Sequence, residues 1–199
     1  MSNDAVFEAN WLEEQLNEIF GATEVTNLNR LSGGANRETW SFEANTKEKQ
    51  RSLIMQIDRS GMDRLHGTCE RESRILRIAK LNGVPVPTVV ASGFSEGLGS
   101  RSFSITEKMQ GETIARKILR DSQWEHARGN LIHDMAKALA AIHKIERSHF
   151  EGIELSDIRD PLSSLNSIYE ALDDPHPTFD FAFRWLKANQ PKISESTFV

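Results

Sequence analysis

The chain has 199 residues, of which 38% are apolar and 27% charged, and a net charge of -5. That is a globular composition rather than a disordered one. The negative charge argues against a non-specific binder of nucleic acid or of acidic membranes, while leaving room for a local basic site that grips an anion. The single cysteine, Cys69, excludes an internal disulfide and fits a reducing compartment. The N-terminal stretch MSNDAVFEANW lacks the charged and apolar regions of a signal peptide. No apolar run approaches about 18 residues. A cytoplasmic protein without a membrane span is expected.

In chain order, NWLEEQLNEIFG predicts a short amphipathic helix, with Trp11, Leu12, Leu16, Ile19 and Phe20 on one broad face and Gly21 as its stop. The period then changes to two. EVTNLNRL and ETWSFEA flank a Gly-Gly turn, and Trp40, Phe42 and Ala44 alternate with polar residues as a half-buried strand requires. RSLIMQID predicts a third strand, with Leu53, Met55 and Ile57 on one face and Ile54, Gln56 and Asp58 on the other. A helix over roughly residues 62 to 82 is closed by Asn82-Gly83 and by VPVP, which cannot continue it. TVVASGF and RSFSITEKM predict two more strands around the glycine-rich turn SEGLGS. Beyond Gly111 the pattern is helical: TIARKILRD, ARGNLIHDMAKALAAIHKI, PLSSLNSIYEALDD and TFDFAFRWLKANQP. The expectation is an α+β chain with an N-terminal helix in residues 1–23, an antiparallel sheet with one main helix in 24–111, and helices alone in 112–199.

Several residues could carry chemistry. The Gly-Gly turn reads as a hairpin turn that needs positive φ, or as a loop whose backbone N–H groups cover a phosphate. Ser32 and Asn36 add small polar side chains to it. On the first long helix, Leu65, Cys69, Leu76 and Ala79 share a face, and Glu72 fills the missing slot. A carboxylate there must be paired or reach solvent at the edge of the stripe. Gln56 is an edge polar residue, or it looks into a cleft if its face opens toward the Gly-Gly loop. The six histidines show no metal-ligand spacing. His143 lies with Ile132, Met135, Ala136, Leu139 and Ile142 and is read as a satisfied core histidine. Asp173 and Asp174, before Pro175, are turn residues rather than a catalytic pair.

The stretches LSGGANRETWSFEA, RSLIMQIDRSG, ERESRIL, NGVPVPTVVASG, FSITEKMQGETIARKILRD and LAAIHKI occur in an order that resembles the aminoglycoside phosphotransferase-like family. The branch it is most similar to is related to the kinase-like part of acyl-CoA dehydrogenase fusions. The resemblance covers nearly all of residues 24 to 199. It implies a protein-kinase-like fold with ATP held between two lobes. It carries Ser32, Gly33, Gly34 and Asn36 onto the loop that covers the ATP phosphates, and Glu72 onto the helix glutamate that pairs with a third-strand cation. It places Thr106, Glu107, Lys108 and Met109 at a hinge whose backbone bonds the adenine edge. His143 matches a family LxxLH position with a structural role.

Two departures stand against that resemblance. The third-strand cation falls at Gln56, which is uncharged, and losing one such charge would cost about 2–4 kcal/mol of transition-state stabilisation. Arg59 or Arg37 is left as a substitute partner for Glu72. The family's His-Gly-Asp catalytic loop, its Asn ligand and its downstream Mg²⁺-holding Asp are absent from the sequence, which ends at Val199 after SESTFV. The implied function is the N-terminal part of an ATP- and Mg²⁺-dependent kinase that phosphorylates a small-molecule hydroxyl, inactive as these 199 residues alone. The alternative is a non-catalytic nucleotide-binding or interaction module, or a degenerate kinase that binds ATP without turnover. Self-association is expected through the apolar face of the helix that holds Ile132, Met135, Leu139 and Ile142.

Overall fold

The computed structural model describes residues 3–31, 37–59, 67–153 and 161–190. The chain divides into two units, residues 1–151 and 152–199. The first holds helix α1 (Asn3–Phe20), strands β1 (Glu24–Leu31), β2 (Arg37–Asn45) and β3 (Gln50–Asp58), helix α2 (Cys69–Leu81), strands β4 (Val89–Ser95) and β5 (Arg101–Glu107), and helices α3 (Ala115–Arg120) and α4 (Glu125–His143). The five strands form one sheet in the order β1-β2-β3-β5-β4, antiparallel at every pairing. This is the α+β arrangement that the sequence predicts.

The alternation in β2 and β3 decides which way the sheet faces. Trp40, Phe42, Ala44, Leu53, Met55 and Ile57 point to one side and are buried there, together with Phe103 and Ile105 of β5. Helix α1 covers this side with Trp11, Leu12 and Leu16. Trp11 meets Phe103 edge to face at a centroid distance of 4.8 Å, and its indole N–H donates to Ser95 Oγ at 3.0 Å. Gly97 lies so close to the Trp11 ring that an added Cβ would come within 3.2 Å of it. The end of α1 is tied to β1 by side chains: Glu13 accepts the Val25 N–H at 2.9 Å, and Asn17 accepts the Thr23 N–H at 2.7 Å. Ile19, predicted on the buried face, is exposed instead. The covered stripe is Trp11, Leu12 and Leu16, and Phe20 at its end packs beneath the Arg51 guanidinium at 4.2 Å.

The other side of the sheet carries hydroxyls, and α2 lies on it. Ser73 donates to Ser104 of β5 at 2.7 Å, and Arg77 donates to Ser92 of β4 at 3.0 Å. Three backbone N–H groups of the first turn of α2 find acceptors, as a helix start requires. Cys69 N–H donates to Asp58 at 2.9 Å, Glu70 N–H to Ser102 Oγ at 2.8 Å, and Arg71 N–H to the N-cap Thr68 at 3.1 Å. The far end closes as the Asn82-Gly83 signal predicts. Gly83 takes φ +79, its N–H reaches the Lys80 carbonyl at 3.1 Å, and the Val84 N–H reaches Ala79 at 3.0 Å. That bond pair is the Schellman stop, which needs a left-handed residue.

After β5 the chain turns helical, as expected. Just before α3, Glu112 receives the N–H groups of Thr113 and Ile114 at 2.9 and 3.0 Å. Along α4, Leu131, Ile132, Met135 and Leu139 are exposed, with Ile132 at 84%. His143 is exposed with them. The core reading of this histidine is therefore corrected: the apolar stripe to which it belongs is itself uncovered. The second unit contributes helices α5 (Pro161–Ala171) and α6 (Pro177–Ala188). A groove of about 430 Å³ runs between them, lined by Leu162, Asn166, Phe183 and Arg184 among others. Among the described residues, no helix is long and apolar enough to cross a membrane.

Candidate functional site

The residues with unusual chemistry meet where the start of β2, the end of β3 and the start of α2 come together. Antiparallel register sets Arg37 opposite Asp58. Arg37 Nε lies 3.3 Å from Asp58 Oδ1, and Arg37 Nη1 donates to Glu72 Oε2. Asp58 also receives the Cys69 thiol at 3.0 Å and the Cys69 N–H at 2.9 Å. One guanidinium thus ties two strands to a helix. The Arg37 side chain is 17% exposed and that of Asp58 9%, while Glu72 is 47% exposed.

Charge states follow from these contacts. Burial alone would lower the Arg37 pKa. The hydrogen bond that Arg37 donates to Glu72 and the surrounding negative groups outweigh it, so the guanidinium is held above its ordinary value. Cys69 goes the other way from a reactive thiol. Burial raises it far above the usual thiol range, the bond to Asp58 adds to that, and Arg37 opposes only in part. The Cys69 sulfur is a neutral donor to Asp58, not a nucleophile.

A pH dependence follows. The unfolded chain ionises this thiol near pH ~8.5, whereas the folded chain keeps it protonated, so unfolding releases a proton above that pH. The thiol's contribution to stability is expected to be constant below about pH 8 and to fall above pH ~9 by up to about 1.4 kcal/mol per pH unit. Cys69→Ser keeps a donor to Asp58 and removes this component of the slope. Urea denaturation from pH 7 to 10 checks it, and identical slopes in the two proteins would contradict it.

The predicted site residues fall as follows. Glu72 does reach solvent at the edge of its stripe and does have a partner, and that partner is Arg37. The buried slot in the α2 stripe belongs to Ser73, because the sheet face beneath it carries hydroxyls. Arg59, the other candidate partner, is exposed. Gln56 is partly buried in the middle of the sheet, between Thr39 of β2 and Ser104 of β5, on the face that α2 covers. Ser32, Gly33, Gly34 and Asn36 lie outside the described residues, between the end of β1 and Arg37. Thr106 and Glu107 end β5, paired with Ile54 and Leu53. The Glu107 N–H donates to Thr88 O and the Lys108 N–H to Ser52 O, both at 2.9 Å. Those two donors are thus used within the protein. Met109 follows with an exposed side chain. Asp58 and Cys69 were not predicted as site residues. The only signal for Asp58 was its place on the Gln56 face of β3.

No curated protein matches the chain. Among solved structures, a protein of Ralstonia eutropha JMP134 classed as an aminoglycoside phosphotransferase superposes with a TM-score of 0.57 at 21% identity. The superposition takes in 89% of this chain and 52% of that one. A spectinomycin phosphotransferase solved with ADP and spectinomycin gives a TM-score of 0.45 at 14% identity, over 90% of this chain and 54% of the other. The chain spans about half the length of these structures. The first of them carries the kinase-like fold that the resemblance implies. The sequence pattern of the phosphotransferase enzyme family matches residues 27–199, which take in nearly all of the sheet and every helix after α1; the chain belongs to that family.

Proposed function

We propose that the chain is the nucleotide-binding part of an ATP-dependent phosphotransferase that moves the γ-phosphoryl group of ATP to a hydroxyl of a small molecule. The observation that carries this reading is the Arg37–Glu72 ion pair. It joins the α2 carboxylate to the sheet at the residue that directly follows the glycine loop, where phosphates would lie. In the proposed complex, backbone N–H groups of Ser32, Gly33, Gly34 and Asn36 cover the phosphates. The hinge offers the adenine edge its carbonyls and the Met109 N–H, because the Glu107 and Lys108 N–H groups already donate to Thr88 and Ser52.

Transfer needs a base for the hydroxyl proton and neutralisation of the phosphates. Among the described residues, no group of three His, Cys, Asp or Glu is placed to hold a metal. The sequence also contains no His-Gly-Asp. These 199 residues alone are therefore expected to bind nucleotide without turnover. The acceptor class, a cytoplasmic setting and self-association through the exposed α4 stripe belong to the same proposal. The uncharged Gln56 favours a second reading, a nucleotide-binding module that never transfers a phosphoryl group.

Calorimetry of Mg·ATP with the 199-residue chain tests the reading, together with a thermal melt. Binding raises the melting temperature with ligand concentration. The absence of both a heat and a shift at millimolar Mg·ATP would contradict nucleotide binding.

A further inference from the structure

We propose that Arg37 is the cation at the phosphate end of the cleft, standing in for the charge that β3 lacks at Gln56. This rests on the nucleotide reading above and deepens it. The α2 carboxylate identifies the cation by pairing with it, and the side chain paired with Glu72 comes from the first residue of β2, not from β3. Arg59 is exposed, and no ion pair of it is found among the described residues. Position 56 lies two residues before Asp58 on the same face of β3, and Asp58 is the residue that grips Arg37 Nε. The charge has thus moved by one strand and stayed at the same end of the sheet.

The geometry leaves the guanidinium able to act. It has five N–H donors, of which one on Nη1 is hydrogen-bonded to Glu72 while Nε is ion-paired with Asp58. Nη2 is not engaged by either carboxylate in those bonds. Asp58 at Nε and Glu72 at Nη1 hold the plane from two sides and aim the Nη2 N–H groups in a defined direction, which suits phosphate oxygens. Two carboxylates against one guanidinium leave a formal charge of -1. Glu72, however, is about half exposed, so water screens it, and it orients Arg37 more than it cancels it. Arg37 directly follows in sequence residues 32–36, the segment proposed to cover the phosphates.

The test separates a phosphate contact from a strut. Adenosine and ADP binding are measured by calorimetry on the 199-residue chain, on Arg37→Gln, and on Arg37→Gln combined with Gln56→Lys. A strut weakens both ligands alike, whereas a phosphate cation weakens ADP alone. ADP is expected to lose about 10- to 100-fold in Arg37→Gln, adenosine less than about twofold, and the second-site lysine to restore most of the ADP preference. Equal losses for both ligands, or no loss, overturn the proposal while nucleotide binding stands. A native chain that binds neither ligand overturns both. If circular dichroism shows Arg37→Gln unfolded, Gln56→Lys in the native chain decides. With Arg37 supplying the charge, the ADP preference changes less than about threefold. A rise of about tenfold or more means that the site lacked a cation and overturns the proposal.

Discussion

Deleting residues 1–20 is expected to abolish the cooperative fold of the sheet, and Leu16→Ala alone to cost about 2–5 kcal/mol. The family match begins at residue 27, so α1 lies outside it. It is nevertheless part of the main core. Leu12 and Leu16 are fully buried, and they cover the side of the sheet that holds Phe42, Leu53, Met55 and Ile105. Without the helix that apolar face would open to water. Such a face is an aggregation hazard on a sheet whose β1 edge has no strand beyond it. A domain's whole stability is about 5–15 kcal/mol, so one lost leucine is a large share of it. Urea denaturation of Leu16→Ala and light scattering of the deletion check the two parts. A deletion variant that stays monomeric with unchanged strand content would mean that α1 is an appendage.

Asp58→Ala is expected to cost about 3–5 kcal/mol, as removal of one partner from a buried ion pair does. The loss has three parts: the Arg37 guanidinium loses its less exposed partner, the Cys69 N–H loses its acceptor, and the thiol loses its hydrogen bond. Asp58→Asn keeps an acceptor for the Cys69 N–H and removes only the charge, so its cost should be clearly smaller. Because Asp58 holds the start of α2, the Ala variant should also speed hydrogen exchange at Cys69–Ser73 more than at Ile78–Leu81. Equal stability for the two variants would show that the acceptor for the Cys69 N–H contributes nothing measurable.

The strands were legible because β2, β3 and β5 each have a buried and a polar face, and alternation records that directly. The stops at Gly21 and Gly83 were legible because both need positive φ. Two readings failed for physical reasons. Ile19 follows the helical period but is left exposed, while its neighbour Phe20 packs against the core. Glu72 reaches solvent and is paired, as its place at the edge of the stripe allows, and the buried slot beside it goes to Ser73 because the seat is lined with Ser102 and Ser104. His143 was read as core because its helix has an apolar face, but sequence periodicity says which face is apolar and not whether anything covers it. The Arg37–Asp58–Cys69 contact was out of reach for another reason. It depends on strand register and on the seating of α2, and no spacing in the sequence encodes either.

The most direct test is hydrogen exchange of the 199-residue chain with and without Mg·ATP. Added protection is expected in three places: residues 31–38, residues 56–58 with the start of α2, and the proposed hinge at 106–110. Residues 161–190 should be unchanged. Protection confined to the helices of the second unit, or none at saturating nucleotide, would contradict a nucleotide site on the α2 face of this sheet.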